Sequence, residues 1–75
     1  MAILLEYHMK LTTSEYRLVN YVGERLGSGL GDRLARCIVD DIPFEEKVAG
    51  EREFIATNAT KMGVRLPARF FKSKV

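Results

Sequence analysis

A chain of 75 residues, 47% hydrophobic and 29% charged with a net charge of +2, makes one small domain with little room for a catalytic pocket. Its single cysteine, Cys37, excludes an internal disulfide, and one cysteine with one histidine is not a metal-ligand set. A lone core of this size supplies only about 3–5 kcal/mol, so a homodimer is favoured over a well-packed monomer.

Met1 to Leu5 is too short for a signal peptide and Glu6 interrupts it. No stretch approaches the roughly 20 apolar residues of a membrane span. The expectation is a cytoplasmic protein without membrane contact. Charge is uneven along the chain. Residues 61–75 hold Lys61, Arg65, Arg69, Lys72 and Lys74 with no acid, whereas the preceding residues are close to balanced. Such a basic tail often meets phosphate, although a solvated end is the commoner explanation.

Residues 3–11 form a strand candidate. Leu5, Tyr7, Met9 and Leu11 alternate with Glu6, His8 and Lys10, the period of a half-buried strand. One strand is not stable alone, so its mate is either Gly63 to Leu66 or the same strand of a second chain. Thr12 and Glu15 then have the spacing of a capping box, bracketed by Leu11 and Tyr16 as a hydrophobic staple. The helix that follows carries Leu18, Val19, Val22 and Leu26 on one face. Gly23 inside it costs about 1 kcal/mol relative to alanine but permits a close crossing. Gly27 is placed to end the helix in a left-handed cap.

Ser28 is the expected cap of a second helix, with Leu30, Leu34, Cys37, Ile38 and Ile42 inside and Asp32, Arg33, Arg36 and Asp40 outside. Pro43 stops it. A third helical run starts near Pro43, with Glu45 and Glu46 suited to its positive end. Phe44, Val48, Ile55, Ala59 and Met62 form its stripe. Gly50 interrupts this run, leaving open two shorter helices, and Gly63 ends it. Beyond it, Val64 to Leu66 reads as a strand and Ala68 to Lys72 as a last turn of helix, with neither settled.

The first 42 residues resemble the ribbon-helix-helix DNA-binding family, the MetJ/Arc type of β-ribbon reader. The strand Glu6-Tyr7-His8-Met9-Lys10-Leu11, the helix start at Thr12, Gly27, and apolar Leu30, Leu34 and Ile38 keep that family's register without a gap. The resemblance implies an α+β, mainly helical fold: an intertwined homodimer with paired N-terminal strands, here with an added C-terminal helix. Residues 1–42 would be the ribbon-helix-helix-like core and residues 43–75 a helical extension with a basic tail. It further implies a sequence-specific partner, double-stranded DNA, read in the major groove by a small repressor, an antitoxin-like regulator, or a plasmid or phage accessory factor. Glu6, His8 and Lys10 would face base edges, Ser28 and Gly29 would hold a phosphate at a helix N-terminus, and Arg33, Arg36 or the tail would add charge. Gly29 and Gly31 depart from the hydroxyl or amide residues common at that helix start.

Two other readings stand beside it. In a helix-turn-helix, Leu30 to Ile42 would be the recognition helix, but Asp32, Arg33, Arg36 and Asp40 balance in charge. A protein-interaction module or inhibitor without nucleic-acid binding accounts better for residues 43–75 as a partner surface. No catalytic set, metal site or cofactor motif is present. The Gly27-to-Gly31 run lacks the ending of a P-loop, Cys37 reads as core, and the chain is not expected to be an enzyme.

Overall fold

The computed structural model describes residues 9–72. The capping box forms as the spacing predicts: Thr12 Oγ1 accepts from the Glu15 N–H at 3.1 Å, and the Thr12 N–H donates to Glu15 Oε1 at 2.9 Å. Helix α1, Thr13–Leu26, follows and buries Leu18, Val19 and Val22. Helix α2, Ser28–Asp40, begins after a single residue. That residue, Gly27, has φ +113° and ψ 143°, a positive-φ conformation different from the expected left-handed cap. Its N–H donates to the Gly23 carbonyl at 2.9 Å, and its own carbonyl accepts from Leu30 and Gly31 at 3.0 and 3.3 Å. Gly27 therefore closes one helix and opens the next. Ser28 is the first helical residue, not the cap.

The crossing of α1 and α2 is close because Gly31 has no side chain. A Cβ there would lie 3.0 Å from the Val19 carbonyl oxygen and 3.2 Å from Gly23 Cα. Helix α2 buries Leu30, Leu34, Ala35 and Cys37 and ends sooner than expected. Asp41 adopts the left-handed conformation (φ 54°, ψ 53°), which aspartate tolerates better than most residues. The Ile42 N–H then closes the turn on the Cys37 carbonyl at 3.3 Å. Asp41, not Pro43, is the terminator, and Ile42 is left outside the helix.

Residues 42–50 form an irregular loop where the third helical run was expected to begin. Phe44 is buried from within this loop, and Val48 is 63% exposed. Gly50 at φ +95° turns the chain into helix α3, Glu51–Met62. Glu46 still serves a helix N-terminus, from a distance: its Oε2 accepts from the N–H groups of Gly50 and Arg52 at 2.8 and 3.3 Å. Gly63 (φ 72°, ψ 26°) ends α3 in a left-handed cap, as expected, with the Val64 N–H returning to the Ala59 carbonyl at 2.8 Å.

The chain then returns to the core. A short 3-10 turn, Ala68–Phe71, buries Phe70, which stacks on Phe44 with ring centroids 5.0 Å apart. The Phe44 N–H donates to the Phe70 carbonyl at 3.4 Å. Leu18, Val22, Leu34, Phe44, Ile55, Ala59, Val64 and Phe70 belong to one buried cluster, with Leu11, Ile38, Met62 and Leu66 packed against it.

The expected α+β class is corrected. Among the described residues the fold is all-α, with three helices, one 3-10 turn and no strand. Of the ribbon candidate, Met9 to Leu11 form a turn and a bend that lead into the capping box, and the remainder lies outside the described residues. The other strand candidate fails for a local reason. Val64 spends its N–H on the Ala59 carbonyl, which leaves it no donor for a ladder. A paired-strand intertwined fold is accordingly not the architecture of this region.

Candidate interaction surface

Arg33, expected to face outward, is drawn inward by the loop. Its Nη1 donates to the Glu45 carbonyl at 2.6 Å, and its Nη2 lies 3.2 Å from both carboxylate oxygens of Glu51. The guanidinium also stands 5.1 Å from the ring centre of Phe44. From the other side, Arg52 Nη2 donates to the Phe44 carbonyl at 2.9 Å. Two arginines, one on α2 and one on α3, thus hold consecutive carbonyls and fix a loop that has no hydrogen-bonded pattern of its own.

The Glu51 carboxyl answers to this arrangement. Burial alone would raise it, but N–H donors from Lys47 and Val48 and the Arg33 guanidinium outweigh burial and hold it below its ordinary value of 4.5. Cys37 behaves as core. Burial pushes its thiol above the ordinary 9.0, with nearby Arg33 and Arg36 opposing that shift and Asp40 adding to it. Its Sγ lies 3.7 Å from the Pro43 carbonyl oxygen, to which it donates.

The residues expected at DNA do not gather on one surface. Glu6, His8 and Lys74 lie outside the described residues, and Lys10 is exposed in the turn before α1. Ser28 and Gly29 are exposed at the α2 N-terminus. Ser28 there shares a shallow cleft with Glu24 and Asp32, two carboxylates that oppose a phosphate. Arg33 is committed to Glu45 and Glu51, which leaves Arg36 exposed without it. In the tail, Lys61, Arg65, Arg69 and Lys72 are all exposed, and Arg69 makes only a loose 3.9 Å pair with Asp41.

A different surface does assemble. Leu26 at the end of α1, Val48, Ala49 and Gly50 in the loop, and Glu51 and Phe54 at the start of α3 line an open groove of about 340 Å³. Leu26 is 47% and Val48 63% exposed. Phe54 stacks on Tyr21, centroids 6.1 Å apart and planes within 11°. Arg25 lies over the other partner of that stack, its guanidinium 5.7 Å from the Tyr21 ring centre and its Nη1 3.4 Å from the hydroxyl. Arg25 and Lys47 directly precede Leu26 and Val48, are exposed, and have no carboxylate partner among the described residues. The nearby acids are occupied: Glu46 caps α3, and Glu51 takes Arg33 and the Lys47 N–H at 3.0 Å.

Sequence periodicity assigns Leu26 and Val48 to helical core faces, which is why the groove escapes it. The available signal is their position. Each is an apolar residue beside a cation and within two residues of a glycine, where an element ends before it can bury its last side chain. Among the described residues no group of His, Cys, Asp and Glu side chains is arranged to hold a metal ion, and no helix is long and apolar enough to cross a membrane. In comparisons with protein-family models, with curated proteins and with solved structures, nothing matched this chain.

Proposed function

We propose that this chain is a non-catalytic protein-interaction module whose working surface is the groove between the end of α1 and the start of α3. The observation that carries the reading is the pairing of exposed Leu26 and Val48 with Arg25 and Lys47, two cations that have no internal partner. A small chain gains nothing for its own fold by leaving these apolar groups in water, whereas a partner would cover them. The groove sits at the low end of the range for ligand pockets, about 300–1,000 Å³, and its openness suits a polypeptide better than a small substrate that must be enclosed. Selection of binding peptides from a random library against the folded chain tests the reading. Enriched peptides are expected to lose binding to Val48→Asp and Leu26→Lys. Enrichment indifferent to both substitutions would count against it.

A second reading keeps nucleic acid as the partner, now through the carboxyl end instead of paired strands. Exposed Lys61, Arg65, Arg69 and Lys72 favour it, since neutralised phosphates release counterions. Fluorescence anisotropy with mixed-sequence duplex DNA at rising salt separates the two. Steeply salt-dependent binding that weakens in Lys61→Gln/Arg65→Gln belongs to this second reading, and flat traces favour the interaction module.

A further inference from the structure

We infer that the partner which fits this groove is an acidic amphipathic helix from another protein, an inference that rests on the interaction-module reading and gives its partner a chemistry. Charge decides the sign. The groove's carboxylates are turned to internal work, Glu46 on the α3 N-terminus and Glu51 on Arg33, while Arg25 and Lys47 stand beside its apolar residues with no counter-charge. Arg25 is also braced on the Tyr21 ring. A segment with glutamate or aspartate flanking its apolar anchors meets complementary charge there, and a basic one meets repulsion.

Geometry decides the form. Strand addition needs a free sheet edge, and the described residues contain no strand. That leaves the helix-in-groove mode, in which aliphatic side chains one turn apart enter an apolar floor. Leu26, Val48, Ala49 and Phe54 provide that floor. A second copy of the chain is a poor occupant. The apolar stripes of α1 and α2 are already spent on the common core, and the outward residues of α3, Glu53, Thr57, Thr60 and Lys61, include no aliphatic anchor.

The test uses the full chain and a labelled synthetic peptide of about four helical turns, with leucines on one face and glutamates flanking them. Two controls accompany it, one with lysine in place of glutamate and one of scrambled order. Saturable binding of the glutamate peptide is expected by anisotropy, with amide shift changes centred on Leu26, Val48 and Phe54. Val48→Asp should weaken it at least about tenfold while urea denaturation stays near that of the parent, because an exposed loop side chain contributes little to folding. Arg25→Glu/Lys47→Glu should invert the preference toward the lysine peptide. Equal binding of both peptides, or binding unaffected by Val48→Asp, overturns the inference. So does a Val48-dependent dimer seen by sedimentation, which would identify the occupant as a second copy. If library peptides reach the groove but are not acidic, the inference fails while the interaction-module reading stands. If no peptide responds to Leu26 or Val48, both fail.

Discussion

Arg33 joins α2 to the loop and to α3 through three groups, the Glu45 carbonyl, the Glu51 carboxylate and the Phe44 ring. Arg33→Ala removes all three and leaves Glu51, whose side chain is 11% exposed, without its cation. A loss of about 1–3 kcal/mol is expected by urea denaturation, below the cost for a fully buried pair because Arg33 itself reaches solvent. Arg33→Lys should recover only part, since an ammonium cannot fork across two carboxylate oxygens and a carbonyl. Glu51 adds a pH dependence whose sign follows from its lowered folded value. Its contribution is present above the ordinary 4.5 and is lost as pH falls through the lower folded value. Glu51→Gln should therefore flatten the stability curve on the acid side, and an unchanged acid limb would show that the Arg33 fork has no part in it. Cys37, buried and with its thiol pushed up, should react with iodoacetamide far more slowly in the native chain than in denaturant. An outward-facing charge in the helical pattern of α2 thus becomes an internal clamp. No spacing within that helix shows this, because the partners Glu45 and Glu51 come from a loop and a separate helix.

At the level of the elements, the local signals were legible and the long-range ones were not. The Thr12–Glu15 capping box and the Gly63 cap depend on residues within a few positions of each other, and both form. The end of α2 and the start of α3 depend on where Phe44 must go. Once Phe44 stacks on Phe70, the chain between Asp41 and Gly50 is pulled into a loop that helical periodicity reads as a third helix. The glycines of the α1–α2 corner show the same division, because the sequence marks them alike and their surroundings differ. Gly31→Ala would press a methyl group toward the Val19 carbonyl oxygen at 3.0 Å and Gly23 Cα at 3.2 Å, both backbone atoms. The strain of forcing the helices apart, about 1–3 kcal/mol, should exceed the roughly 1 kcal/mol gained in helix propensity. At Gly23 the nearest atoms would be at 3.7 and 3.9 Å, and at Gly29 none lies within 4 Å. Gly29→Ala should accordingly raise stability by up to about 1 kcal/mol and Gly23→Ala should be neutral or mildly stabilising. A chemical-denaturation series over the three variants checks the order, and a Gly31→Ala protein as stable as Gly29→Ala would show that the corner opens without cost.

For the molecule as a whole, the carboxyl end has two roles that the sequence presents as one. Its charges suggest an arm reaching for phosphate, yet Val64 and Phe70 within it are buried and belong to the same core cluster as Leu18 and Leu34. Alternation of Val64, Arg65 and Leu66 reports only that one side is apolar. It does not distinguish a strand that pairs from an extended return that packs, and here the second occurs. Truncation before Lys61, which sequence alone recommends as a probe of electrostatics, would therefore remove core and charge together. Phe70→Ala isolates the core part. Phe70 is fully buried against Phe44, so its loss should cost about 3–5 kcal/mol. That is comparable with the whole stability expected from a lone core of this size, about 3–5 kcal/mol. The variant should be largely unfolded at 25 °C, with flattened near-ultraviolet circular dichroism and collapsed amide dispersion. Neutralising Lys61, Arg65 and Lys72 to glutamine should leave both signals intact, because these side chains are exposed and make no ion pair among the described residues. If Phe70→Ala kept a cooperative, native-like transition, the carboxyl end would be a dispensable arm after all, and the core formed by the three helices would stand without it.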